Sequence, residues 1–173
     1  MSEFRLTGGC QCGAVRYVLH AIPTKPRICH CRMCQKHIGS FFGAFADVDA
    51  KDFELTRGEL AFFRSSGDGD RSFCRDCGTP LGYRYISGAR FAITISSLDE
   101  PAAIKPTAQY GIESRMPWFS ELSQLPAFES GRYENASAEL YEMIRSSNRQ
   151  HPDRYGSLAT TGVTALDKWL ASR

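Results

Sequence analysis

Cys29-His30-Cys31-Arg32-Met33-Cys34 places three cysteines within six residues, and the rest of the chain is organised around it. On a regular strand the side chains of Cys29 and Cys31 point to the same face. A turn after Cys31 closes the C-x-x-C loop and returns Cys34 towards Cys31. Three sulfurs then converge on one point about 2.3 Å away, the zinc–thiolate distance. Convergent thiolates repel one another unless a cation lies between them, so the stretch predicts a soft metal, most simply zinc.

Two further pairs flank it, Cys10-Gln11-Cys12 and Cys74-Arg75-Asp76-Cys77, so all seven cysteines fall in three clusters. A lone C-x-C is compatible with plain core burial, because cysteine is among the most buried residue types. The C-x-x-C at Cys74 is followed by Gly78 and Pro80, as in a metal knuckle. A redox pair there would need a βαβ setting, whereas the segment after Cys77 is glycine-rich and strand-like. Seven ligands divide as four plus three: four thiolates close a structural site, and three leave a position for water or substrate. Spacing alone permits two partitions. One joins Cys31 and Cys34 to Cys74 and Cys77. The other joins Cys10 and Cys12 to Cys74 and Cys77 and leaves Cys29, Cys31 and Cys34 as an open triad.

The chain has 173 residues, 42% hydrophobic and 23% charged, which suits one globular domain with a sizeable core. Its formal net charge of +2 argues for neither nucleic acid nor an anionic membrane as partner. No apolar run reaches the roughly 18 residues of a membrane span. The opening MSEFRLTGG lacks the apolar core of a signal peptide. The expected location is the cytoplasm, where thiols stay reduced, and an odd cysteine total fits a disulfide scheme poorly.

Short runs rich in strand formers, at residues 4–7, 14–19, 28–31, 41–48, 60–64, 71–73, 81–86 and 91–96, are separated by glycines and prolines. They predict a mainly β, antiparallel domain. Pro23 and Pro26 mark a loop, residues 34–38 one helical turn, and residues 99–126 an irregular stretch carrying Trp118. The composition then changes. Residues 136–145 have helical apolar spacing with Asn135 or Ser137 as cap, and residues 163–170 form a second short amphipathic run. The expected division is a zinc-binding β domain over 1–130 and a helical extension over 131–173, docked on that domain or on another copy of the chain, so a homo-oligomer is one expected form.

Five stretches together resemble the glutathione-dependent formaldehyde-activating enzyme family, which also includes the centromere protein V-like proteins. They are Gly9-Cys10-Gln11-Cys12-Gly13; Cys29 to Cys34 running on through Gln35-Lys36 to Gly39-Ser40; Arg71-Ser72-Phe73-Cys74-Arg75-Asp76-Cys77-Gly78; Ile95-Ser96-Ser97-Leu98-Asp99; and Pro117-Trp118. The resemblance spans residues 6–128. It implies stacked antiparallel sheets of the β-tent type and two zinc ions per chain. A structural zinc would sit on Cys10, Cys12, Cys74 and Cys77. A catalytic zinc, which is expected to be partly occupied, would sit on Cys29, Cys31 and Cys34. The implied activity is of carbon–sulfur lyase type on small thiol adducts, such as glutathione plus formaldehyde to S-hydroxymethylglutathione. The partner is then a small thiol or thiol–aldehyde adduct.

Zinc held by three thiolates carries a formal charge of −1 and still binds a substrate thiolate or orients an aldehyde oxygen. His30 and His37 are the nearby candidates for proton transfer, against a plain packing role for each. Arg32, Lys36, Arg64 and Arg71 are candidate cations for an anionic substrate, against a solvated-surface reading. Phe41, Phe42, Phe45, Phe62 and Phe63 are expected in the core, Trp118 is expected to anchor its segment, and His20 and His151 are expected on the surface. The alternative to an enzyme is a zinc-stabilised binding module without chemistry, and the open triad favours the enzyme.

Overall fold

The structure, a computed structural model, describes residues 5–128 and 137–149. Ten strands carry it: β1 (Leu6–Gly9), β2 (Arg16–Leu19), β3 (Thr24–Cys29), β4 (Gly43–Asp49), β5 (Phe53–Arg57), β6 (Ala61–Ser66), β7 (Gly69–Phe73), β8 (Pro80–Tyr85), β9 (Arg90–Thr94) and β10 (Ala108–Tyr110). Two α-helices are described, α1 (Arg32–Ile38) and α2 (Ala138–Ser147), together with short 3-10 turns. The strands form a three-stranded sheet, β1-β2-β5, and a seven-stranded sheet, β10-β3-β4-β9-β8-β7-β6. Every pairing is antiparallel except β10 with β3. The expected mainly β fold of stacked antiparallel sheets is therefore what the chain forms.

The core lies between the sheets. Tyr17 of β2, Phe53 of β5 and Phe91 of β9 are fully or almost fully buried, and their rings meet at 5.1 and 4.9 Å. Each such ring contributes up to about 3 kcal/mol through removal of apolar area from water. The buried Tyr17 hydroxyl is satisfied by Ser97 Oγ at 2.7 Å, and burial pushes its pKa well above the ordinary tyrosine value. Arg16, also buried, pairs with Asp99, whose carboxylate accepts from the Thr7 hydroxyl at 2.6 Å.

Several local expectations are corrected. Pro26 lies inside β3, where the register with β4 shifts between Thr24 and Arg27, so the ring occupies an irregularity in the ladder. Strands β5 and β10 lie where none was expected. Of the five phenylalanines assigned to the core, Phe45 is fully buried, but Phe41 and Phe63 are exposed. His20 is not an idle surface group, because its Nε2 pairs with Glu54 Oε2 at 2.7 Å. Trp118 packs edge-on against Phe41 at 4.6 Å, in keeping with an anchor. Helix α2 starts at the expected cap, with Ser137 Oγ accepting from the Leu140 amide at 3.1 Å, and none of its residues is buried. The second helical run at 163–170, and His151, lie outside the described residues. Among the described residues no helix is long and apolar enough to cross a membrane.

Candidate functional site

The fold gathers the cysteines into two groups. Cys10, Cys12, Cys74 and Cys77 form one, Cys29, Cys31 and Cys34 the other, and within each the sulfurs lie within 4.8 Å of one another. The partition that would join Cys31 and Cys34 to Cys74 and Cys77 is not the one the chain makes.

The four-cysteine group ties two turns together. The first follows β1, where the Cys10 amide donates to Val15 O at 3.0 Å and the Val15 amide donates to Cys10 Sγ at 3.2 Å. The second follows β7, where the Cys74 amide donates to Thr79 O and the Gly78 amide to Cys74 O. Between them the Gln11 amide donates to Thr79 Oγ1 at 3.0 Å. The Cys10–Cys12 and Cys12–Cys74 sulfur separations are 3.5 and 3.9 Å. A tetrahedron with metal–sulfur bonds of about 2.3 Å has edges of about 3.8 Å, so the donor set fits a single metal ion. Burial pushes the Cys74 thiol up to about 12. At Cys77 burial acts in the same sense, but bonds from the Thr79 hydroxyl and amide and from Cys12 outweigh it and hold the thiol at about 6.

The three-cysteine group sits where β3 runs into α1. Cys29 is the last residue of β3, flanked by Gly43 of β4 and Tyr110 of β10. Cys31 is the N-cap of α1, its Sγ accepting from the Cys34 amide at 3.4 Å, and this turn swings Cys34 back beside it. Gly39, left-handed at φ 70°, ends the helix with its amide on Gln35 O. The triad's backing is apolar, made by Phe45, Ala92, Ile38 and Tyr83. A hydrogen bond from the Cys34 thiol, chiefly, draws Cys29 down to about 5, with burial opposing it, and the same bond pushes Cys34 up. Three sulfurs suit a metal ion and leave one position of a tetrahedron for another ligand.

A brace from distant sequence fixes the triad turn. The His30 amide donates to Tyr110 O at 2.8 Å, and His30 Nε2 meets Gln109 Oε1 at 2.9 Å. Gln35 Nε2 donates to His30 O at 2.7 Å and to Ser114 O at 3.0 Å. Gly111, with φ +65°, passes so close that an added Cβ would sit 2.8 Å from the Cys31 nitrogen. His30 is fully buried and edge-on to Phe119, a packing position. Gln109, Gly111 and Ser114 were not among the residues read from sequence, and Gln35 was quoted there only within a motif, with no role.

Of the four candidate cations, Arg64 is committed to Asp70 at 2.6 Å. Arg71 is buried, at 7% exposure, and its Nη2 donates to Cys34 Sγ at 3.7 Å. Its guanidinium also lies 5.5 Å above the Tyr83 ring, whose hydroxyl accepts from Arg27 at 2.7 Å. Arg32 and Lys36 are exposed on α1. Together with Arg71, they line a cleft of about 660 Å³ beside the triad, in which His37 also takes part. Desolvation first, and then the neighbouring Arg71 charge, push His37 down to about 4 against a hydrogen bond to the Gly82 backbone. It is therefore neutral near pH 7, with a buried Nε2 that has no partner among the described residues.

Comparison with known proteins bears on this geometry. The chain is 34% identical over 83 residues to an uncharacterized lyase of Schizosaccharomyces pombe, covering 47% of this chain and 58% of that protein. The chain thus spans little more than half the length of this relative. A crystal structure of a Rhodobacter sphaeroides protein superposes with a TM-score of 0.50 at 22% identity, covering 60% of this chain and 98% of the other, a likeness of fold. The family model of the glutathione-dependent formaldehyde-activating enzymes matches residues 5–114, which include all seven cysteines. The chain belongs to the glutathione-dependent formaldehyde-activating enzyme family.

Proposed function

We propose that the protein is a zinc-dependent carbon–sulfur lyase-type enzyme that makes and breaks adducts between small thiols and aldehydes. Cys29, Cys31 and Cys34 are the reaction centre, and Cys10, Cys12, Cys74 and Cys77 hold a structural zinc. The observation that carries this reading is the three-sulfur group with Arg71, a residue of the cationic cleft, set against its Cys34, while the four-sulfur group is complete in itself. The family's name supplies the instance, glutathione with formaldehyde. A zinc ion at the triad would supply a site at which a substrate sulfur is held as its thiolate.

The chain's own residues account for the remainder. In the forward direction the thiol gives up its proton and its sulfur bonds to the aldehyde carbon. The carbonyl π pair moves to oxygen, which takes up a proton to complete the hydroxymethyl thioether. Arg71, against Cys34, sets a fixed positive charge beside the sulfurs and beside the oxygen that becomes negative. His37 is neutral near pH 7 and lines the same cleft, so it is the residue assigned to carry the proton. The apolar backing by Phe45, Ala92 and Tyr83 keeps water from one side of the centre. The test is exchange of labelled formaldehyde with glutathione, followed by NMR with and without zinc-loaded protein. The reading expects faster exchange that disappears on chelation. Exchange at the uncatalysed rate with fully loaded protein would leave the zinc-stabilised binding module as the better account.

A further inference from the structure

The cleft beside the triad is unusual for where its apolar side chains stand. Met33 of α1 and Phe63 of β6 are 52% and 62% exposed, and Phe73 and Pro80 continue the same wall. Large apolar groups converging on one open cavity mark a binding surface more often than a bare one. The charged groups are all of one sign. Arg32 and Lys36 stand exposed, Arg71 is buried, and among the described residues no carboxylate lines the cavity. Arg71 adds a sharper constraint. One nitrogen is directed at Cys34 Sγ, while Nε and Nη1 are buried without a partner among the described residues. A buried guanidinium with unsatisfied nitrogens has lost water without replacement and favours an anion.

From these features we propose that the substrate class is a small thiol with a carboxylate one or two bonds from the sulfur-bearing carbon and an apolar, aromatic-sized body. The inference rests on the reading of the triad as a thiol–aldehyde centre. An anion that satisfies Arg71 sits against Cys34, so it must be close in covalent structure to the reacting sulfur. The carboxylates of glutathione stand at the two ends of the tripeptide, many bonds from its sulfur, and reach Arg32 or Lys36 more readily than Arg71. Glutathione also has no apolar body to cover Met33, Phe63 and Phe73. An α-mercaptocarboxylate with an aryl substituent meets both demands.

The test is calorimetric titration of zinc-loaded protein with four probes: β-phenyl-α-mercaptopropanoate, mercaptoacetate, phenylethanethiol and glutathione. The aryl mercaptocarboxylate is expected to bind about tenfold more tightly than each of the other three. Phe63→Ala, a change at an exposed position, should remove the advantage over mercaptoacetate and leave mercaptoacetate itself unchanged. Arg71→Gln, at unchanged zinc content, should weaken all four probes through the charge lost beside the sulfurs, and the two mercaptocarboxylates severalfold more than phenylethanethiol. Glutathione binding as tightly as the aryl probe, an advantage that survives Phe63→Ala, or no binding by any probe overturns the proposal. Formaldehyde exchange measured in parallel separates this from the function itself. The expected binding pattern without accelerated exchange for any thiol supports the cleft assignment and removes the enzymatic reading. Accelerated exchange with no preference for the aryl thiol overturns the cleft assignment and keeps the enzyme.

Discussion

His37 and Cys34 lie on the same face of α1, three residues apart, and their surroundings give them different tasks. His37 is half-buried and beside Arg71, so its charged form is disfavoured and its pKa falls from the ordinary 6.5 to about 4. The unfolded chain binds a proton at this residue between those values and the folded chain does not. Folding stability therefore rises with pH across that window and is lost as the pH falls from about 6.5 to about 4. Replacement of His37 by Gln should flatten this acid loss, read as the urea midpoint at pH 5 relative to pH 7.5, with little change at pH 7.5. A wild-type midpoint that does not fall on acidification would contradict the assignment. At this scale the cysteines were legible because ligand chemistry demands close spacing, and the spacing is local. Arg71 was one of four equivalent cations in the sequence. Only the pairing of β7 between β6 and β8 buries it against Cys34, while Arg64 goes to Asp70. Phe63 was placed in the core on composition, but on the edge strand of the large sheet, opposite Arg71, it stands exposed in the wall of the cleft.

The element that most controls the triad is the distant β10 with the turn after it. It pairs in parallel with β3, bonds His30 and Gln35, and lets Gly111 pass against Cys31. Gly111→Ala should cost about 1–2 kcal/mol from the left-handed backbone alone. The steric push falls on Cys31, so zinc at the triad should be lost before the fold, seen as a stoichiometry near one per chain in a still cooperative protein. Retention of both metals would show that the brace is not needed. The three exposed residues of β10 offered no periodicity to read, and its place follows from pairing with a strand some eighty positions earlier. β5 was missed for a related reason: FELTR mixes charges into a short run, and its burial comes from pairing with β2. The helical segment behaves differently. α2 exposes Leu140, Met143 and Ile144 and buries nothing, and the division of the chain at 130 and 131 stands as a proposal. A chain ending at Ser130 should keep both metals and its melting temperature to within a few degrees; loss of either zinc would give the extension a part in building a site.

Across the whole molecule, the four-cysteine group joins the start of the small sheet to a turn of the large one, and the core rings of Tyr17, Phe53 and Phe91 lie between the two. Binding free energy at such a site is folding free energy, roughly 10–16 kcal/mol for structural zinc in small peptides. Cys74→Ser removes a buried sulfur of the proposed structural zinc site and should yield unfolded or aggregated protein, checked by circular dichroism and metal content; a soluble variant with two zinc ions would reject the structural assignment. The mainly β, antiparallel character was legible because turn residues separate short strand-forming runs, whereas the stacking of sheets was what the family resemblance implied. The division of the cysteines was left open by spacing, because it depends on which turns the sheets bring face to face, and the grouping that the chain makes is the one the resemblance implied. The central claim is that the two groups have separate tasks, and Cys31→Ser tests it most directly, with zinc stoichiometry, melting temperature and thiol–formaldehyde exchange measured on one sample. The expected result is one zinc per chain instead of two, a cooperative transition within a few degrees of wild type, and exchange at the uncatalysed rate. Unchanged stoichiometry, or full activity with the second zinc gone, would contradict it.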